Sequence, residues 1–132
     1  HMPRLVGVQA AGCAPLWRAF QAGADAPLLA DTTDTVAEGI AIAEPMRGGQ
    51  MLDIVRRSGG RFLAVEEGET LEALKVMVKK GYFIEPTSAA VIAGLRQYLQ
   101  HHAEPGEQVA SVLTGHGLKA ASKVASLLAK GM

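Results

Sequence analysis

Three short apolar runs, each bounded by glycine or charge and set apart by stretches of helical period, limit most what this chain can fold into. The runs are Leu5 to Val8, Phe62 to Val65 and Val109 to Leu113. Each is of strand length and rich in valine and leucine. None alternates strictly between apolar and polar, which is the pattern of strands buried on both faces in a parallel sheet covered by helices. Strands that alternate with helices predict an α/β fold of three layers, a mostly parallel sheet flanked by helices.

The helical stretches are marked by period and by their ends. Pro15, Leu16 and Phe20 open the first, which ends near Gly23. Met51, Leu52 and Val55 mark a second, stopped by Gly59-Gly60. Leu71, Leu74 and Val78 mark a third, closed by Lys79-Lys80-Gly81, where cations meet the negative end of the dipole and glycine takes the left-handed position. Val91, Ile92, Leu95, Tyr98 and Leu99 share one face of a fourth. It starts at Pro86, with Thr87 or Ser88 available as a cap. Val124, Leu127 and Leu128 mark a fifth. Residues 35–43 (TVAEGIAIA) fit a short helix or a buried strand, and Glu38-Gly39 interrupts either. Residues 24–36 read as a long loop and 103–108 as a turn.

With 132 residues the chain has room for one domain, read as 3–132. His1-Met2 reads as a cloning scar. A strand directly after Pro3 leaves none of the slack usual before a first element, so the chain is expected to be a segment of a larger protein. Thirteen Lys and Arg balance thirteen Asp and Glu, and the formal net charge is zero. That balance excludes nucleic acid and anionic membrane as main partners, because both call for a basic excess. No run approaches the roughly 18 apolar residues of a membrane span. A single cysteine, Cys13, excludes an internal disulfide, and with four scattered histidines it argues against a zinc framework. A cytoplasmic globular protein without a metal site is expected.

Three stretches carry candidate chemistry. The first, Leu113 to Lys119 (LTGHGLK), follows a strand-like run and precedes a helix. Ligands in open α/β sheets bind outside the carboxyl ends of strands, and glycines there admit close backbone approach. It is not a phosphate loop of the Walker type, since the glycine spacing is wrong and no Ser or Thr follows Lys119. It reads equally as a plain strand-to-helix turn. The second, Phe83 to Ala90 (FIEPTSAA), sets Glu85 among apolar residues at a helix start, either facing a site or solvated near the positive end of the dipole. In the third, Gly39 of Glu38-Gly39 offers a ligand close approach or marks a bulge beside an exposed acid. His101-His102 reads as a solvated helix end, Cys13 as a small core residue, Trp17 as packing, and Lys123 and Lys130 as a solvated face. His116, alone between two glycines, assigns nothing.

Taken in order, LVGVQAAG, TVAEGIAI, SGGRFLAVEEGETLEALK, FIEPTSAAVIAGL and VLTGHGLK resemble the C-terminal half of the threonine synthases. That family lies in the fold-type II superfamily of pyridoxal-phosphate enzymes. The EPTSAA and LTGHGLK pair separates the resemblance from the threonine and serine dehydratases, which share the layout but usually carry serine or cysteine where Thr114 stands. The resemblance implies the large-domain fold and pyridoxal phosphate as cofactor in the full-length parent. The activity implied is conversion of O-phosphohomoserine and water to threonine and phosphate. It implies that Thr114 contacts the pyridine nitrogen, that Glu85 lies near the ring, and that the Gly39 backbone packs beside it. The family's Schiff-base lysine and its phosphate-binding glycine loop lie in the N-terminal half, so no catalytic residue is expected in this chain. Ala120 stands where relatives often have aspartate. The implied partners are a small amino-acid substrate, the missing N-terminal half and a second copy, as a homodimer. A dehydratase fragment and a non-catalytic binding or assembly module are the alternatives.

Overall fold

Apolar segments far apart in sequence meet side by side. In the computed structural model, which describes residues 3–29 and 32–129, β1 (Val6–Ala10) pairs in parallel with β2 (Arg61–Val65), from Val6 opposite Arg61 to Ala10 opposite Val65. Between the strands run α1 (Pro15–Gln21) and α2 (Gly48–Arg57), and after them α3 (Glu67–Lys79), α4 (Pro86–His101) and α5 (Ala121–Ala129). Single 3-10 turns cover Ala11–Cys13, Glu38–Ile40 and Gly117–Ala120.

The two faces of the sheet bury different helices, as the period of two requires. Phe62 points to one side, into a core with Leu16 and Ala19 of α1 and Leu52 and Val55 of α2. Its ring meets Phe20 edge-on at 5.7 Å. Val65 points to the other side, among Ala73 and Leu74 of α3, Ala89, Ala90 and Ala93 of α4, and Val124 of α5, with Val8 packed against them. Helices on both faces of a parallel pair make the expected three layers. Leu52 and Leu74 are almost wholly buried, each contributing about 1.5–3 kcal/mol by removal from water.

Local chemistry sets the helix ends. Glu66 and Glu69 form a capping box at the start of α3, the Glu69 carboxylate accepting the Glu66 N–H at 2.8 Å. Gly59 and Gly81, just past α2 and α3, take φ of +68° and +87°, which favour glycine.

The structure departs from the sequence reading in several places. Residues 109–113 form no strand, and Val109, Val112 and Leu113 are 42%, 72% and 39% exposed. A strand needs a ladder partner, and none stands beside this segment among the described residues. Between it and the open edge of β1 lies a groove of about 520 Å³, walled by Val6, Val8, Val109 and Val112 and floored by Gly94 and Leu95 of α4. The ambiguous 35–43 stretch is irregular apart from its one 3-10 turn.

The buried stripe of α4 also differs from the expected one. Ala89, Ala90, Ala93, Gly94 and Tyr98 are buried, while Leu99 is 53% exposed. Small residues bring the helix onto β1 so closely that a Cβ on Gly94 would lie 2.5 Å from Val8 Cγ2. Neither Thr87 nor Ser88 caps α4; the cap position is Glu85, with Pro86 at the first helical position. His102 is half-buried, its Nδ1 2.6 Å from Arg61 Nη1, instead of standing free in solvent. Cys13 is buried and Trp17 packs against the α1/α2 core, as expected; Lys130 lies outside the described residues. Among the described residues no helix is long and apolar enough to cross a membrane.

Candidate functional site

Two of the three motif stretches lie against each other, antiparallel. Ile84 bridges His116, with the Glu85 N–H donating to the Gly115 carbonyl at 3.1 Å and the Gly117 N–H to the Phe83 carbonyl at 2.8 Å. Local conformation prepares this clasp. Glu85 is extended (φ −79°, ψ 160°) because it precedes a proline, and Pro86 then begins α4 with no N–H to leave unpaired. The clasp thus joins the start of α4 to the LTGHGLK stretch.

Ser88, the third residue of α4, adds a second bond set. It is fully buried. Its Oγ accepts the Gly115 N–H at 3.0 Å and donates to the Gly115 carbonyl at 3.3 Å. The Glu85 carboxylate lies over Gly115, where a Cβ would overlap it. A side chain at 115 would therefore displace the Glu85 carboxylate. Gly117 is constrained likewise: a Cβ there would come within 2.9 Å of the Phe83 ring. The same ring meets the His116 imidazole edge-on at 5.7 Å. His116 caps the turn that follows, Nδ1 accepting the Leu118 N–H at 3.2 Å, so in the neutral ring the proton sits on Nε2.

The third stretch reaches the same place through α4. Gly39 is exposed, and a Cβ on it would lie 2.7 Å from Thr87 Oγ1. Its neighbour Glu38 pairs with Lys123 Nζ of α5 at 2.5 Å, so Lys123 has a partner where the sequence predicts only solvent. Beyond Glu38 opens a polar pocket of about 460 Å³ lined by Cys13, Thr33, Asp34 and Thr35.

The expected site residues thus form a connected series: Gly39 against Thr87, Thr87 two residues from Glu85, Glu85 over Gly115, and Thr114 next to Gly115. Thr114 is exposed, and its hydroxyl has no hydrogen-bond partner among the described residues. It is free to donate to, or accept from, a ligand. Glu85 is half-buried and Lys119 exposed. Sequence reasoning missed Ser88 and Thr87, which it took only as helix caps. The available signal was a hydroxyl pair at the head of an alanine stripe, where nothing but a polar partner justifies burying an oxygen.

These residues have relatives. Residues 1–115 match the family model described as "Pyridoxal-phosphate dependent enzyme". The chain is 37% identical over 121 residues to a threonine synthase of Methanocaldococcus jannaschii, covering 90% of this chain and 30% of the relative. It is 38% identical over 120 residues to a threonine synthase of Synechocystis, covering 90% and 29%. The chain therefore spans about a third of the length of the curated relatives it matches. Among solved structures, Escherichia coli threonine synthase superposes with a TM-score of 0.76 at 20% identity, over 96% of this chain and 29% of that one. Maize serine racemase superposes with a TM-score of 0.70 at 15% identity, over 98% and 40%. Both likenesses concern the fold. On the match to the family model and the identity to these relatives, the chain belongs to the pyridoxal-phosphate dependent enzymes.

Proposed function

We propose that this chain is the C-terminal part of a threonine synthase, a lyase converting O-phosphohomoserine and water to threonine and phosphate. In this reading it forms the side of the site that holds the pyridine ring of the cofactor. The observation that carries the reading is the clasp between residues 83–88 and 115–117, which gathers Glu85 and Thr114 at one place. The residues fit such a ring. Gly39 presents exposed backbone without a side chain, and Thr114 presents a hydroxyl that has no hydrogen-bond partner among the described residues. When bound, pyridoxal phosphate supplies an electron sink that withdraws charge from an amino-acid substrate.

The chain's own residues set how that sink is held. A hydroxyl at 114 is neutral and can donate or accept, so it does not keep the ring nitrogen protonated as a carboxylate would. Glu85, lying over Gly115, places its carboxylate beside the residue next to Thr114. The rest of the parent supplies the Schiff-base lysine and the phosphate loop. It also covers the open edge of β1, in an enzyme read as a homodimer.

The test is made on the parent carrying its upstream coding sequence. It should release phosphate from O-phosphohomoserine, with a kcat/KM exceeding those for threonine and serine by orders of magnitude. Selectivity of that kind comes from contacts to the γ-phosphate in the transition state, each worth about 1.5–3 kcal/mol. A higher kcat/KM for a hydroxy-amino acid would replace the synthase with a dehydratase. Absence of cofactor binding would replace both with a non-catalytic module.

A further inference from the structure

We propose that Ser88 is a positioning residue: its buried hydroxyl fixes the Thr114–Gly115 peptide and so aims the Thr114 side chain at its ligand. The inference rests on the reading of Thr114 as a cofactor contact and adds the residue that holds it in place.

The first turns of α4 bury Pro86, Ala89, Ala90 and Ala93, a surface on which a methyl would pack as well as a hydroxymethyl. Alanine is also the better helix former. Helix stability therefore gives no reason for an oxygen at 88. The oxygen is instead committed in both directions to one residue, accepting from the Gly115 N–H and donating to the Gly115 carbonyl. That carbonyl also accepts the Glu85 N–H. The peptide group following Thr114 is thus gripped at its N–H by Ser88, and the next carbonyl by Ser88 and Glu85 together. Gly115 has no side chain with which to pack, so these bonds are what hold its backbone. Thr114, one bond away, is exposed and has no hydrogen bond of its own among the described residues. Its direction is inherited from the peptide that Ser88 grips. Burying a donor with its partner removed is costly, so without Ser88 the Gly115 N–H must turn toward solvent and carry Thr114 with it.

The first arm of the test uses this chain and needs no cofactor. In Ser88→Ala, hydrogen exchange of the Gly115 amide should speed by about tenfold or more, while the core amides of Leu74 and Val65 change far less. Ser88→Thr, which keeps the hydroxyl, should restore protection. Unchanged exchange at Gly115, or equal acceleration at all three amides, would overturn the proposal. The second arm uses the parent with pyridoxal phosphate. Ser88→Ala should move the visible absorbance of the bound cofactor in the same direction as Thr114→Ala, and the double variant should move it little further. Additive effects of the two substitutions would also overturn the proposal. A loosened Gly115 together with a Thr114→Ala variant that binds cofactor normally would leave Ser88 as the anchor of the loop but remove the role of Thr114. The two readings therefore fail separately.

Discussion

Gly94→Ala sets a favourable local effect against an unfavourable tertiary one. In an isolated helix the change stabilises by about 1 kcal/mol. In α4 the added methyl would lie 2.5 and 2.9 Å from the two γ-methyls of Val8 and 3.3 Å from its Cβ. Valine is stiff at χ1, and Val8 sits on a strand already paired with β2, so relief requires α4 to move off the sheet. Overpacking of this kind costs about 1–3 kcal/mol. The balance is a destabilisation of about 0–2 kcal/mol, read as a lower urea midpoint at unchanged slope. A double-mutant cycle with Val8→Ala isolates the contact. The second substitution empties the space the methyl needs, so the pair should be more stable than the sum of the singles by 0.5 kcal/mol or more. A Gly94→Ala variant more stable than the parent by about 1 kcal/mol, with no coupling to Val8, would refute the close approach of α4 to β1. The start of α4 bears Glu85, Thr87 and Ser88, so a shift of this helix should also weaken cofactor binding in the full-length enzyme.

Other outcomes are expected. Thr114→Ala in the parent should lower pyridoxal-phosphate affinity about fivefold, the worth of one neutral hydrogen bond of about 1 kcal/mol; an unchanged titration would remove Thr114 from the ring. Gly39→Ala pushes on Thr87 Oγ1. Because the lost chain freedom of alanine returns about 0.4–1 kcal/mol, the fold should survive while cofactor affinity falls, and equal affinity would place Gly39 elsewhere. The pKa of His102 lies below its ordinary 6.5, chiefly through burial, then through Arg61 and His101. The folded chain therefore prefers the neutral ring, whose contribution to stability is present above pH 6.5 and is lost as pH falls through 6.5 toward the folded value. Urea midpoints should drop between pH 7.5 and 5.5, and the drop should shrink in His102→Gln; a midpoint rising over that interval would contradict the assignment. Glu107 is held below its usual 4.5, first by the Glu104 N–H and then by the Tyr98 hydroxyl, so its contribution is lost only in more acid solution.

What the sequence made legible is what neighbouring residues decide. Glycines after α2 and α3, the proline at the head of α4 and the apolar period of α5 placed the helices, since caps and breakers act within a turn or two. The apolar runs at β1 and β2 are strands because each has the other as a ladder partner. The run at 109–113 has the same composition and is not a strand, because strand formation is a property of a pair. The buried face of α4 differs from the expected one for a related reason. Large apolar residues mark a buried face only where the neighbour stands at ordinary distance, and Gly94 lets β1 come closer. At the site, Thr114, Glu85 and Gly39 could be named from motif resemblance, whereas the bonds joining residues 85 and 88 to 115 span about 30 residues of chain and leave no local mark. In sequence His102 reads as solvated because nothing local hints that Arg61 stands beside it.

The groove along β1 bears on how this chain behaves as a colloid. One edge of β1 is satisfied by β2, while the other lines an apolar channel beside exposed Val109 and Val112. Unpaired strand edges template pairing with other chains. Long-range repulsion is what normally keeps such edges apart, and at a formal net charge of zero it is nearly switched off at neutral pH. Attraction between edges then acts unopposed, and concentration alone sets how fast molecules stick. Acid would restore a net charge but also protonate His102. Repulsion between molecules and the stability of the fold therefore change in opposite directions as the pH falls.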